Sequence, residues 1–462
     1  MNRALYNGVR GLVGSLVVFP VAERLEGRDM RSKQRQLAAE MSQPFAERRR
    51  RSWNRLVDLV RFSAQKVPYY RDLFATTGFD PESLTRDAKY LADIPYLTKD
   101  IIRAEGERLL RDDHMVFRKH VTKSGGSTGP SVHVIYDQEG ADWSSAVTRY
   151  ARAQIGAGAS RLQLHLAARF PDRFPARDRM REQMKCLANN RLNVTFASFA
   201  PDDLDHIWTR IKAIRPFMVH GHPSTMYQLA LHVADRGEGR NAFRVFESSG
   251  EMLDDRQRRT VEAVFGCTVI DRYGLAEAGV VAYQTDPKLA GMTVFDPFAW
   301  LEIGDVEFGA ELPLVPDGRS GEIVITPLRN RMMPLLRYRS GDVATLKETA
   351  AGLVLTGMTG RIHDVVEIAG VRVPTHHIQD VLDRAGRIRE FQIEYRDGRP
   401  VFRIVPEAPE TANAIRRTLA ESWGDAVGVE FIEPGALKLQ GWRSKFRHLV
   451  TPSAEGGPVG AS

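Results

Sequence analysis

A chain of 462 residues is too long for one ordinary hydrophobic core and predicts two or three domains. Hydrophobic residues at 43% and charged residues at 27% exclude a disordered or membrane-embedded chain and predict a soluble globular one. The formal charge of +7 lies in residues 1–61, which hold 13 basic and six acidic side chains; the remaining chain is balanced at 52 of each and offers no general nucleic-acid-binding face.

Arg3 and Arg10 lead into an apolar run over residues 11–22, short of the roughly 18 residues a bilayer span requires. Pro20 interrupts the run and no A-x-A site follows, so a signal peptide is not expected. The run reads as a helix docked on the body or on a membrane surface. Its basic setting leaves peripheral contact with anionic lipid or a polyanion open, beside the plain reading of a solvated Arg-rich helix. Cys186 and Cys267 lie far apart, which excludes a disulfide scaffold and fits a reducing, cytoplasmic location.

Helical spacing of Trp53, Leu56, Val57, Val60 and Phe62 predicts a helix that stops at Val67, because Pro68 disfavours α geometry in the residue before it. Short helices follow, with a turn at Ile94-Pro95 and Thr98 as the N-cap of a helix from Lys99. A glycine loop then precedes an alternating strand over residues 131–136. Strand-like runs alternate with helical stretches to about residue 300, which argues an α/β core. A β-rich stretch over 301–358 and a mixed strand and helix region over 361–450 complete the fold, and the tail 451–462 is small, polar and expected to be disordered.

The loop Ser124, Gly125, Gly126, Ser127, Thr128, Gly129 has two readings. It satisfies G-x-S-x-G, with Ser127 as a hydrolase nucleophile, but that motif needs a helix directly after it, where Pro130 stands before a strand. Alternatively its glycines free backbone N–H groups, and its hydroxyls add donors, for a phosphate cradle that is not a Walker A sequence.

Later segments follow in a telling order: Ser248-Ser249-Gly250-Glu251, Asp271-Arg272-Tyr273-Gly274-Leu275-Ala276-Glu277, Leu336-Arg337-Tyr338-Arg339-Ser340-Gly341-Asp342, Thr359-Gly360-Arg361-Ile362-His363-Asp364 and Arg443-Ser444-Lys445. This series resembles the adenylate-forming (ANL) superfamily. Val67-Pro68-Tyr69-Tyr70-Arg71, Ile94-Pro95-Tyr96-Leu97-Thr98-Lys99 and Gly221-His222-Pro223-Ser224 resemble its phenylacetate–CoA ligase-like branch, which includes CapK-type capsule-biosynthesis proteins.

The resemblance implies an α/β fold with a large multi-layer N-terminal adenylating domain, a β-rich subdomain and a small mobile α+β C-terminal domain. Residues 1–110 would form a basic helical segment packed on the body, 111–360 the ATP- and carboxylate-binding core, and 361–450 the lid. The implied activity is ATP-dependent conversion of an aromatic or other small organic acid to an acyl-adenylate, then transfer to coenzyme A. Transfer to an amine or sugar hydroxyl is the alternative, and an inactive scaffold a third reading. No nucleic acid partner is implied, and the oligomeric state is open, a dimer included.

By the same resemblance, the loop 124–129 would hold the β- and γ-phosphates, and Glu277 would bind Mg²⁺, a hard cation suited to carboxylate oxygen. Tyr273 and Gly274 would lie against the adenine, with Ser249, Gly250 and Glu251 lining the base. Asp342 would accept from the ribose hydroxyls, and Arg361 would contact ribose or phosphate. Lys445 would bridge the substrate carboxylate and the α-phosphate. His363 would be the hinge, Gly370 would flank the coenzyme A arm, and His220, Gly221, His222 and Tyr227 would line the acid pocket beneath Tyr273. Four positions depart from the family pattern: Ala276 replaces a threonine, Pro130 and Ser131 stand where a lysine is common, His363 replaces Asp or Lys, and Ser444 replaces Gly.

Overall fold

The computed structural model describes residues 3–123, 132–168, 175–304, 317–361, 365–385, 388–440 and 445–450. The expected phosphate loop from Ser124 to Gly129, the expected hinge His363 and the tail 451–462 therefore lie outside the described residues.

Local chemistry sets the N-terminal helices as expected. The helix Phe45–Lys66 ends at Val67, extended at φ −118° and ψ 112°, and Pro68 opens the next helix, Pro68–Thr77. Thr98 caps Lys99–Glu105 by accepting from the Ile101 N–H at 3.3 Å. The strand expected over residues 131–136 is His133–Tyr136. It pairs with His120–Lys123 as a separate two-stranded ribbon rather than joining the central sheet.

The alternating region folds as a five-stranded, all-parallel sheet in the order Arg191–Phe196, Gln163–Ala168, Met218–Gly221, Val245–Ser248, Thr268–Ile270. Leu164, Val219, Phe246 and Val269 from its strands share a buried cluster with Trp208, Leu229 and Val261 from the flanking helices. After Ile270 the chain spends one residue, Asp271, before entering the first strand of a second sheet, Arg272–Leu275.

That second sheet has seven strands, in the order Ala299–Gly304, Asp317–Pro327, Tyr338–Thr349, Gly352–Arg361, Met292–Val294, Gly279–Tyr283, Arg272–Leu275. Four strand spacings separate Tyr338–Thr349 from Arg272–Leu275, about 19 Å in a flat sheet. Yet the Tyr273 hydroxyl donates to Asp342 at 2.9 Å, so the sheet must curl until its distant strands face one another.

The early Pro-Tyr segments brace this arrangement. Tyr70 accepts from the Leu336 N–H and donates to the Pro334 carbonyl, both at 3.0 Å. Leu97 pairs with Tyr338 in a lone parallel bridge. Arg337, at φ 50°, donates to the carbonyls of Ala92 and Ile94 and to the buried Glu302 carboxylate. Residues from Leu56 to Leu110 accordingly share one buried cluster with Trp300, Leu335 and Tyr338.

The C-terminal region has a cluster of its own around Ile378, Phe391, Phe402 and Ile415. Its main sheet orders Gly428–Phe431, Arg399–Pro406, Ile388–Arg396 and Leu449–Val450. Val405, Leu437 and Phe446 leave that cluster to join the core of the parallel sheet. Among the described residues, no helix is long and apolar enough to cross a membrane.

Replacing Arg337 with Met is expected to strand the buried Glu302 carboxylate and cost about 3–5 kcal/mol. The measurement is the urea midpoint by circular dichroism; a loss below about 1 kcal/mol would show that the brace is not needed.

Candidate active site

All strands of the parallel sheet end at one edge, and in open α/β sheets that carboxyl edge collects ligands. Gly221 leads there into His222, Ser248 into Ser249, Gly250 and Glu251, and Ile270 into Asp271 and Tyr273. His222 Nδ1 lies 2.7 Å from the Ser249 carbonyl oxygen, which ties the first two strand ends together. Gly250 sits at φ 89°, and a Cβ there would fall 2.7 Å from His222 Cε1, so both backbone conformation and space demand glycine.

The C-terminal unit reaches the same edge. Lys445 Nζ donates to the Gly250 carbonyl oxygen at 2.8 Å, and the Phe446 N–H donates to Glu251 Oε1 at 2.7 Å. The other Glu251 oxygen accepts from the Ser224 N–H at 3.4 Å. Phe446 is buried beside Phe199, with ring centroids 6.3 Å apart.

Two tyrosine–carboxylate pairs close the wall formed by the curled sheet. Tyr273 donates to Asp342 Oδ2, and Tyr338 donates to Glu277 Oε1 at 2.9 Å. Ser340 fixes the Asp342 turn by accepting from its N–H at 3.1 Å and donating to the Ile323 carbonyl at 2.7 Å. Arg361 stands directly opposite Asp342 on the neighbouring strand; its backbone is described and its side chain is not. Tyr136 donates to the Glu277 carbonyl at 2.8 Å, and the Ala276 carbonyl accepts from Thr122 Oγ1 at 3.0 Å. Thr122, Tyr136 and Tyr338 were given no role from sequence, although Tyr338 stands inside one of the quoted segments.

Other expected residues have structural reasons for their identity. A Cβ on Gly274 would meet the Gly279 carbonyl oxygen at 2.7 Å, where the strand register shifts, so close backbone approach explains that glycine. Gly221 faces Leu166 at 3.1 Å. Gly370 follows Ala369 in a turn at the tip of a hairpin, with open space around it. Tyr227 lies on the helix Pro223–Ala234. Its buried ring has Arg256 5.8 Å away, burial pushes its hydroxyl up to about 12, and the acids nearest it are Glu390, Asp254 and Glu407. Glu390 and Glu407 belong to the C-terminal unit, so Tyr227 lies near the seam between the units.

His220 belongs to a buried polar hub that the sequence did not reveal. Glu247 lies on the next strand in register with it, and their nearest atoms, His220 Nδ1 and Glu247 Oε2, are 2.7 Å apart. Arg152 contacts the same carboxylate at 2.6 Å, Tyr283 donates to it at 2.7 Å, and Arg272 Nη1 is 3.5 Å away. Burial opposes ionisation of Glu247, but the two guanidiniums win and hold it well below the usual range. Burial lowers His220 to about 4 despite Glu247, so its imidazole is neutral at neutral pH. Serine, threonine, tyrosine and glutamine side chains at Ser224, Thr225, Tyr227 and Gln228, with Ser248 on the adjacent strand, carry buried polar atoms without a hydrogen-bond partner among the described residues.

A cavity of about 490 Å³ lies elsewhere, between the N-terminal helices and the helices Gln138–Gln154 and Ala176–Ala188. None of the expected site residues lines it.

The seam between the two units holds a second cluster of acids. Glu390 is buried, and burial with Asp254 and Glu251 nearby raises its carboxyl to about 8, against smaller opposing effects of the Phe391 N–H and Arg256. His448 Nδ1 is 3.6 Å from it and stacks on Phe391 at 4.3 Å. Below the ordinary carboxylate range of about 4.3, Glu390 is protonated buried or exposed. Between there and pH 8 only the exposed form ionises, so rising pH favours release of the seam. Glu390→Gln is therefore expected to raise the melting temperature at pH 8.5 by roughly 4–8 °C and leave it nearly unchanged at pH 5. Parallel melting curves for the variant and parent at both pH values would refute this.

The family model described as AMP-binding enzyme matches residues 181–329. The chain is 28% identical over 352 residues to a phenylacetate–coenzyme A ligase of Pseudomonas putida, covering 73% of this chain and 76% of that one. It is 26% identical over 401 residues to the phenylacetate–coenzyme A ligase of Aromatoleum evansii, covering 80% and 86%. The solved structure of a 2-hydroxyisobutyryl-CoA ligase in its post-adenylation state shares the fold, with a TM-score of 0.67 at 20% identity over 89% of this chain and 91% of that one. The chain thus carries a match to AMP-binding enzymes over residues 181–329 and is similar along most of its length to phenylacetate–coenzyme A ligases.

Proposed function

We propose that the protein activates a small carboxylic acid with ATP and passes the acyl group to coenzyme A. In the first step a carboxylate oxygen attacks the α-phosphorus, a C–O–P linkage forms and the bond to pyrophosphate breaks. In the second, the coenzyme A sulfur attacks the acyl carbon and AMP leaves. Such transfers depend on positioning and charge stabilisation more than on covalent help from the protein.

One observation carries the reading. Lys445 and Gly250, 195 residues apart in sequence, meet at the carboxyl edge of the parallel sheet. That edge continues into Tyr273, which holds Asp342. In this reading Lys445 would offset the charge of two anions brought together, the acid and the α-phosphate. Asp342, steadied by Tyr273 and Ser340, would offer carboxylate oxygen to ribose hydroxyls, with the backbone of Arg361 opposite it on the next strand. Mg²⁺, when bound, would neutralise phosphate charge at Glu277. A single protein carboxylate suits a cation that takes its remaining ligands from phosphate and water.

The acid is proposed to enter beside His220, Gly221 and His222. Neutral His220 and the orphaned hydroxyls of Ser224 and Ser248 favour a small acid with aromatic or polar character over a long alkyl chain. The phenylacetate acted on by the named relatives fits the aromatic part of this class.

Pyrophosphate exchange against a panel of aromatic and short aliphatic acids tests the reading. Exchange with at least one acid is expected, with a thioester formed on adding coenzyme A. Lys445→Ala is expected to lower exchange by about 10²-fold or more without changing the melting temperature. No exchange with any acid would leave the inert-scaffold reading, and equal exchange in the variant would remove Lys445 from the mechanism.

A further inference from the structure

The N-terminal helix is docked the wrong way round for an ordinary amphipathic helix. It runs as Arg3–Val13, a π-helical segment Gly14–Val18, and Phe19–Leu25. The face turned to the body is small and polar. Asn7 donates to the Ile214 carbonyl at 3.1 Å and Arg10 to Asn190 at 3.0 Å. Gly11 lies so close to Ser160 that a Cβ would fall 2.0 Å from its carbonyl oxygen, and Gly14 would meet Leu187 at 2.5 Å. Below them Phe19 and Glu23 are buried, Phe19 beside Met30 and Ala188.

The opposite face is apolar and open. Val9, Leu12, Val13, Leu16, Val17, Val21 and Leu25 are between 45% and 82% exposed. Their spacing of three and four residues makes one stripe. A straight α-helix would let such a stripe drift around the axis, and the wider π turn in the middle offsets that drift. An apolar stripe of this length on the outside of a folded chain marks a contact surface.

Charge beside the stripe indicates what covers it. The helix Ala176–Ala188 packs against the same segment, with Arg181 3.7 Å from Glu26. It exposes Met180 and Met184 next to a row formed by Arg177, Arg181 and Lys185. Arg24 and Arg179 are exposed in the same region, against the acids Asp178, Glu26 and Glu182, the last paired with Arg191. Two copies meeting through this surface would bring both cation rows into one interface, since a two-fold contact uses the same patch twice. An anionic bilayer complements both features, burying the stripe at the acyl boundary while the cations meet headgroups.

We propose that the N-terminal helix and the exposed face of Ala176–Ala188 form a monotopic docking surface for an anionic lipid bilayer. The proposal is independent of the ligase reading. Flotation of the full-length chain tests it, using vesicles of phosphatidylcholine alone or with phosphatidylglycerol, at low and high salt. Binding to the anionic vesicles is expected to exceed binding to the neutral ones by about ten-fold and to weaken with salt. Leu16→Glu with Val21→Glu should abolish it while leaving the melting temperature unchanged. Arg177→Glu with Lys185→Glu should reduce it several-fold at low salt only.

Equal flotation of parent and Leu16→Glu, Val21→Glu variant would overturn the proposal. So would a dimer in light scattering that the same variant dissociates, which assigns the stripe to a second copy. Binding to polyphosphate that survives this variant, without vesicle binding, would assign the region to a soluble polyanion instead.

Discussion

The Phe446 N–H donates to Glu251 while Lys445, one residue earlier, reaches the Gly250 carbonyl oxygen, and these bonds mark where the C-terminal unit meets the parallel sheet. They are made by a strand of two residues, Lys445–Phe446, paired with Leu439–Gln440. So small an element cannot hold its place by backbone pairing alone. Its anchor is the burial of Phe446 with Leu437 and Val405 in the core of the parallel sheet. Each such side chain contributes about 1.5–3 kcal/mol on burial. Opposing them, Glu390 enters the same seam beside Asp254 and Glu251, where its charged form is disfavoured. The seam therefore combines apolar attraction with an acid penalty that grows with pH. That balance lets the seam open more readily as pH rises.

Beneath the strand ends, the interior is ionic. Glu247 sits between Arg152, Arg272, His220 and Tyr283. With His220 neutral, the two guanidiniums outweigh the one carboxylate within this group. The hub joins a strand of the parallel sheet to Arg272 and Tyr283 of the curled sheet, so it fixes the junction at which Tyr273 leaves one layer for the other. Ion pairs buried this deeply add little net stability, but losing one partner is costly, which makes the junction intolerant of alternative packings.

Much of this was legible in the sequence because the relevant signals are local. Pro68 ends the preceding helix and Thr98 caps Lys99–Glu105, and the alternation of strand and helix corresponds to the parallel sheet as far as Ile270, after which Arg272–Leu275 opens the antiparallel sheet well before the β-rich stretch expected over 301–358. Gly250 and Tyr273 follow strand ends, Asp342 meets Tyr273 across the curled sheet, and Lys445 meets Gly250 from the C-terminal unit. Other features were hidden because they depend on distant partners. Nothing at Glu247 announces that two arginines from different elements will reach it. Gly274 carried a nucleotide-contact expectation, and its structural cause is a register shift against Gly279. Tyr227 was expected in the acid pocket from the family resemblance alone; its buried ring lies near Arg256 and Glu390, partners no sequence pattern names. The segments at Tyr70 and Leu97 read as family signatures, and their physical work is bracing the chain that leads to Asp342.

The N-terminal helix shows the same limit in reverse. Hydrophobic periodicity predicts which residues share a face, but not whether that face turns inward. Burial usually settles the direction, because water expels the apolar side. Here glycine decides it: Gly11 and Gly14 let the helix backbone approach the Ser160 and Leu187 carbonyls more closely than any side chain would permit. Asn7 and Arg10 then satisfy carbonyl and amide groups on the body, which an apolar face would leave unpaired. A helix so attached gains its hold from close approach and hydrogen bonds, and its apolar stripe is left available for a surface outside the chain.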